Sequence, residues 1–326
     1  MSTEAVPTKS ASTEAELAEN VSSRRVPTRA ASTEAASTGA APARTEGPWR
    51  LAIVHETVVE YSGAARASYN ELRMTPLTTS GQTTLTSQMD LRPAAAVWQY
   101  TDYWGTRVTS FDLQEPHSAL TIRAASTVET SPARPPLVEA DWPRIAERIA
   151  AGDLGEFTVP TERTNVDAEL ERSARERTEG CGPHEAADEI SAWVHDTLAY
   201  VPGATGVHTN AQDSWNQKSG VCQDFSHLTI ALLRAVGLPA RYVSGYLFPD
   251  PDARPGVTAE GQSHAWVEYW AGEWTGLDAT NRSTPGPRHV VVGRGRDYGD
   301  VLPHKGIYHG APNSTLRVSV RFTRLA

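Results

Sequence analysis

The stretch that constrains this chain most is CQDFSHLTIALLRAV, from Cys222 to Val236. Phe225, Leu228, Ile230, Ala231, Leu232, Leu233 and Val236 place apolar side chains nearly all round a helical wheel. A surface helix keeps one polar face, so a helix apolar on every side must be enclosed by other elements. Gly237 stands where a left-handed residue ends a helix, and Pro239 prevents its continuation. The fold must be built around this segment, and its first residue is one of only two cysteines in the chain.

Segments able to enclose it lie on both sides. Upstream, HEAADEISAWVHDTLAY (184–200) predicts a helix with Ile190, Val194, Thr197 and Leu198 on one face. A loop rich in Gly, Thr and Asn separates it from Cys222. Downstream, RYVSGYL (241–247), HAWVEYW (264–270) and WTGLDAT (274–280) read as strands. LRVSVRF (316–322) alternates Leu316, Val318, Val320 and Phe322 as a closing strand.

Between about 48 and 132 the period is two. LAIVHETVVEY (51–61), TTLTSQMDLRP (83–93), VWQYTDYWGTRVTSFDL (97–113) and HSALTIRAASTVE (117–129) predict short strands, with a turn at Trp104-Gly105. SPARPPLVE (131–139) breaks the pattern with three prolines and reads as a linker. The expected fold class is α+β. An antiparallel β domain over 48–132 precedes a domain over 133–326 in which the Cys222 helix packs on an antiparallel sheet. Residues 1–47 repeat VPTKSASTEA (6–15) as VPTRAASTEA (26–35) and carry no aromatic side chain. Such a segment buries too little surface to offset its ordering entropy, so it is expected to be a disordered tail.

Composition narrows the function classes. The formal net charge is −9 and no basic run occurs, which argues against a nucleic-acid partner. Two cysteines without CxxC spacing build no disulfide framework. No stretch approaches the length of a membrane span, and the first thirty residues lack the apolar core of a secretory signal. A cytoplasmic location, no membrane partner and no metal or cofactor are expected. Oligomeric state is not legible.

Cys222 at the start of a helix meets free amides and the positive end of the helix dipole, which favour a thiolate. The same amides suit a developing oxyanion. A nucleophilic cysteine needs a base, and the base needs an orienting group. His264 opens one strand and Asp278 lies in the next, joined by Ala271, Gly272 and Glu273. If Trp270 pairs with Trp274 across that three-residue loop, His264 and Asp278 share a face one diagonal step apart. That separation is about 7–8 Å at the backbone, within reach of these side chains. Gly272 suits the left-handed position of such a loop.

With these residues in view, GVCQDFSHLTIALLRAVGLPARYVSGYL (220–247), SHAWVEYW (263–270) and WTGLDATN (274–281) resemble the transglutaminase-like superfamily of papain-related Cys-His-Asp enzymes. HETVVEYS, DYWGTRV and PHSALTIRAASTVE resemble the β-rich N-terminal region of bacterial members. GRGRDYGDVLPHKGIYHG (293–310) resembles their C-terminal stretch. The resemblance spans about 48–326. It implies a papain-like transglutaminase core with Cys222 as nucleophile, His264 as base and Asp278 as orienter. Many relatives carry proline after the aspartate, and here Ala279 stands there, a change in local stiffness. Relatives also place a Trp, Gln or Tyr upstream of the cysteine as oxyanion donor. Tyr200 and Trp215 are the candidates, beside the backbone N–H of Cys222.

The activity implied is acyl transfer through a thioester on a peptide or carboxamide carbonyl of a protein or peptide substrate. Water as acceptor makes a cysteine peptidase or amidase, which is the expectation. An amine makes a protein-glutamine transglutaminase. A non-catalytic binding module on the same fold is the third reading. Asp224 and His227 are expected to cap and pack, and Arg241 to pair with a carboxylate. Cys181 and His184 have no second pair to complete a zinc site. Trp266 shares the face of His264 and is expected to wall the substrate groove. GRGRDYGD (293–300) lacks the Lys-Ser/Thr of a phosphate loop.

Overall fold

The structure is a computed structural model describing residues 47–326 apart from 204, 207 and 208. The expected disordered tail therefore lies outside the described residues. Six strands come first: β1 (Trp49–Ala65), β2 (Ala67–Leu72), β3 (Gln82–Arg92), β4 (Val97–Thr101), β5 (Arg107–Leu113) and β6 (His117–Thr130). In β1 the alternation buries Leu51, Ile53, His55, Thr57 and Val59, so this strand turns one face to a core. The proline-rich 131–139 stretch carries no helix or strand.

The helical region follows with α1 (Trp142–Ala150), α2 (Ala168–Arg177), α3 (Pro183–Thr197), β7 (Ala199–Tyr200), α4 (Ala211–Gln217), β8 (Ser219–Gly220) and α5 (Cys222–Ala235). The chain then forms β9 (Ala240–Leu247), β10 (Thr258–Trp270), β11 (Trp274–Leu277), β12 (His289–Gly295), β13 (His304–His309) and β14 (Ser314–Arg324). α4 arises inside the stretch read as a loop. Asn210 caps it by accepting from Asp213 N at 2.8 Å, and the Asp213 carboxylate accepts from Asn210 N at 3.4 Å. No described helix is long and apolar enough to cross a membrane.

The main sheet is antiparallel in the order β12-β9-β10-β14-β1-β6-β3, with β11 paired to β10. A second antiparallel sheet runs β13-β2-β5-β4. The fold is thus α+β: an N-terminal antiparallel β region, then helices packed on antiparallel strands.

α5 is the centre of the second region. It packs against α2, α3 and α4 on one side and β9 and β10 on the other. Leu228, Ile230, Leu232 and Leu233 are fully buried. Each such side chain contributes roughly 1.5–3 kcal/mol relative to exposure, which fixes the helix in place. Gly237 takes a left-handed φ of +92°, and Leu238 N donates to Leu233 O at 2.9 Å to close the helix end. Arg234 is buried among the carbonyls of Phe157, Val159, Ala240 and Arg296, to which its guanidinium donates. Arg241 pairs with the buried Glu268, which also receives Arg294 Nε at 2.8 Å.

Candidate active site

The start of α5 is held by one buried carboxylate. Asp224, in the first turn, accepts from Val221 N at 2.8 Å, from Ser214 Oγ at 3.0 Å and from the Thr205 hydroxyl. It is 1% exposed. Burial raises its pKa and these hydrogen bonds oppose the rise. A Cβ on Gly220 would lie 2.5 Å from Asp224 Cβ and 2.7 Å from Oδ2, so the bare backbone at 220 is what lets the aspartate fold under the turn. This clamp presents Cys222 as the first helical residue, 6% exposed, with its N–H among the first-turn amides that have no acceptor within the helix.

His264 reaches the same place from β10. The β10–β11 ladder pairs Trp270 with Trp274 and Val267 with Leu277. One step further along this register His264 and Asp278 share a face, and His264 Nε2 meets Asp278 Oδ2 at 2.8 Å. With Nε2 engaged, Nδ1 is the ring nitrogen left free to serve Cys222, which lines the same cavity as His264. Burial pushes the imidazole pKa down. The Asp278 charge, its hydrogen bond and the Cys222 contact outweigh that and lift it from 6.5 to about 10. Burial alone would raise Asp278, but the charge and hydrogen bond of His264, with His289 beside it, hold the carboxyl well below its usual range. A thiol and an imidazole thus line one cavity, with a buried carboxylate bonded to the imidazole, a set able to serve as nucleophile, base and orienter.

Two residues beyond the sequence reading complete the shell of Asp278. Asn281 donates Nδ2 to Oδ2 at 2.8 Å and its backbone N to Oδ1 at 3.1 Å. His289, from β12, brings Nε2 to Oδ2 at 3.2 Å. The spacing of neither residue from Asp278 marks it, since one sits in an irregular turn and the other in a strand that is remote in pairing order. Ligand atoms of His264, Asp278 and His289 lie within 4.8 Å of one another. The Asn281 amide N–H group points at the same carboxylate oxygen and lies 3.3 Å from His264 Nε2, where it would repel a cation. The donor set fits a hydrogen-bonded relay better than a metal centre.

Trp266 does not wall the groove. It is 2% exposed, stacked near His264 at 6.0 Å between ring centroids and edge-on to His289 at 5.2 Å. It shares the face of His264, as its position two residues along the strand dictates, but that face is covered. Gly245 makes the cover possible: a Cβ there would lie 2.0 Å from Val290 O and 2.8 Å from the Trp266 ring. Among the described residues that line the cavity over Cys222, neither of the two side-chain oxyanion candidates appears. Trp215 packs edge-on to Trp193 at 5.2 Å with the Lys218 ammonium over its face at 3.1 Å. Tyr200 pairs with Gly220 across the short parallel β7–β8 ladder, and its ring lies toward Phe225. The cavity is lined instead by Thr205, Val221, Gln223, Tyr242, Ser244, Ser263 and Tyr298, beside Cys222 and His264.

The remaining sequence candidates are structural. His227 is fully buried, accepts from Tyr298 N at 3.2 Å through Nε2, and is pushed down to about 3 by burial and by Arg163 and Arg234, against the pull of Asp297. His184 Nδ1 bonds the Tyr269 hydroxyl at 2.7 Å rather than joining Cys181 in a ligand set. Residues 293–300 form the end of β12 and a short 3-10 turn, Tyr298–Asp300.

Residues 171–279 match the transglutaminase-like superfamily, and residues 51–129 match the bacterial transglutaminase-like N-terminal region. An uncharacterized protein of Mycobacterium leprae is 41% identical over 278 residues, covering 85% of this chain and 100% of that one. A protein-glutamine gamma-glutamyltransferase of Pseudomonas aeruginosa is 34% identical over 97 residues, which is 28% of this chain and 14% of that enzyme. The crystal structure of a presumed cysteine protease from Cytophaga hutchinsonii shares the fold. Its TM-score is 0.69 at 23% identity, covering 86% of this chain and 92% of that one.

Proposed function

This chain belongs to the transglutaminase-like superfamily, carrying its core together with the bacterial N-terminal region, and we propose that it is a cysteine-dependent acyl-transfer enzyme acting on peptide or carboxamide carbonyls. The observation that carries this reading is His264, which bonds the Asp278 carboxylate at 2.8 Å while lining one cavity with Cys222. The Cys222 thiolate attacks the carbonyl carbon, and the resulting oxyanion is met by the first-turn amides of α5, with Cys222 N–H foremost. His264, already protonated, gives its proton to the departing amine as the carbon–nitrogen bond breaks and a thioester remains. The neutral imidazole then takes a proton from the acceptor, whose oxygen or nitrogen displaces the sulfur. Asp278 holds the ring in the one orientation that serves both steps.

Water is the acceptor in the reading we favour, which makes the chain a cysteine peptidase or amidase. Thr205, Gln223, Ser244 and Ser263 bring polar groups able to hold water to a cavity whose walls also include Val221, Tyr242, Ala265, Tyr298 and Pro303. An amine acceptor must exclude water to compete with it, and a narrow apolar channel does that better. The local likeness to the Pseudomonas glutamyltransferase supports the second reading, transfer to an amine.

Incubation of the protein with a glutamine-containing peptide library and a labelled primary amine separates these outcomes by mass spectrometry. Shortened or deamidated peptides support hydrolysis, and amine incorporation supports transfer. A Cys222 with the alkylation rate of an ordinary thiol, unchanged by His264→Ala, would sink both in favour of a binding module.

A further inference from the structure

We propose that His289 is a positioning residue of this site, a neutral hydrogen-bond donor that fixes the Asp278 carboxylate against His264. The inference rests on the catalytic reading of Cys222, His264 and Asp278. Both ring nitrogens of His289 are engaged. Gly286 N donates to Nδ1 at 3.1 Å, and Nε2 lies 3.2 Å from Asp278 Oδ2. A backbone amide only donates, so Nδ1 must be the unprotonated acceptor and the single ring proton sits on Nε2, aimed at the carboxylate. The turn that supplies this amide is closed a second time by His289 N donating to Gly286 O at 2.9 Å. Trp266 packs edge-on to the ring at 5.2 Å. The ring is 7% exposed and is held by main chain, carboxylate and indole together.

This wiring assigns the charges. Asp278 has two histidines on one oxygen, and their ring centroids are 6.0 Å apart. If both were cations they would repel each other and divide the attraction of one carboxylate. The Gly286 amide would face a second N–H if His289 gained a proton, so His289 stays neutral and the positive charge belongs to His264. Burial, with His264 and Arg288 nearby, pushes His289 the same way. Asp278 gains a further donor without losing its charge to it, and its second oxygen is tied by Asn281 N. The carboxylate cannot rotate away from His264 when the imidazole gives up and regains its proton.

The test begins with the unaltered protein labelled with 15N-histidine. Long-range proton–nitrogen correlation at neutral pH should show His289 as the neutral Nε2–H tautomer and His264 protonated on both nitrogens. A cationic His289, or one protonated on Nδ1, overturns the proposal whatever the activity. The second arm measures iodoacetamide alkylation of Cys222 in His289→Gln and His289→Leu proteins that retain the native circular dichroism spectrum. Loss of a hydrogen bond to a charged group predicts about tenfold slower alkylation in His289→Leu. The amide of His289→Gln can donate in place of Nε2–H and should restore the rate. A leucine variant as fast as the unaltered protein, or a glutamine variant as slow as leucine, overturns the positioning role. If Cys222 reacts as an ordinary thiol, the catalytic reading fails, and the tautomer of His289 still decides this proposal.

Discussion

His264 is only 8% exposed, and burial alone would keep its imidazole neutral; Asp278 first, and then Cys222, raise its pKa against that burial. The pair has a defined pH window. Asp278 is depressed from 3.8, so its contribution to stability is present above that value and lost on acidification below it. His264 is raised from 6.5 to about 10, so its contribution is full below 6.5 and fades as pH climbs through 10. Asp278→Asn removes the charge, burial then dominates, and His264 becomes neutral, leaving only the helix start to favour a thiolate. Cys222 alkylation at neutral pH should fall by at least about tenfold, since a pKa displacement of one unit is already tenfold in thiolate population. Cys181 in the same protein is the internal control. An unchanged Cys222 rate in Asp278→Asn would show that the carboxylate does not set the charge of His264. The juxtaposition of His264 and Asp278 was readable because a three-residue loop and a period of two dictate which side chains share a face. Asn281 and His289 were not, because a turn geometry and a strand order bring them to Asp278, and neither leaves a periodic mark.

At the scale of elements, two glycines determine how closely α5 and the sheet can approach the site. A methyl group at 220 meets the Asp224 side chain at 2.5 Å, and one at 245 meets Val290 O at 2.0 Å. The first clash is with a side chain whose hydrogen bonds cap α5, and the second is with backbone that pairs in β12. Overpacking of this kind costs roughly 1–3 kcal/mol. Gly220→Ala should therefore lower the unfolding midpoint and slow Cys222 alkylation together, because the helix start moves with Asp224. Gly245→Ala should lower the midpoint more, since a backbone carbonyl yields less than a side chain. Thermal denaturation of the two variants against the parent checks the order, and equal midpoints in all three would refute the packing argument. α5 itself was legible from its all-round apolar pattern and its Gly237 stop. The need for glycine at 220 and 245 was not, because it depends on atoms remote in sequence or folded back by a turn. Trp266 shows the same limit. Its face followed from the strand period, but its burial followed from the bare backbone at Gly245 on the neighbouring strand.

For the whole molecule, the decisive element is β14. It pairs with β1 from Leu51↔Arg324 to Tyr61↔Ser314 and with β10 from Thr258↔Thr323 to Gly261↔Val320. β10 then continues with Gln262 paired to Leu247 of β9, so His264 lies three residues beyond the last pair with β14. The strand that positions the imidazole is thereby in one hydrogen-bonded ladder with the N-terminal β region. Alternation made β1, β6 and β14 legible as strands, but pairing partners depend on tertiary closure, which no local period encodes. A continuous sheet predicts that both regions lose structure together. Denaturant titration followed by Cys222 alkylation and by circular dichroism in the strand region should give coincident transitions. Val320 tests the link, being 3% exposed and paired with both His55 and Gly261. Val320→Asp buries an unpaired carboxylate at that seam, a cost of several kcal/mol before the group neutralises. Both probes should shift to lower denaturant by the same amount. A shift of the circular dichroism transition alone, with Cys222 still protected, would mean that the seam does not transmit order from the N-terminal strands to His264.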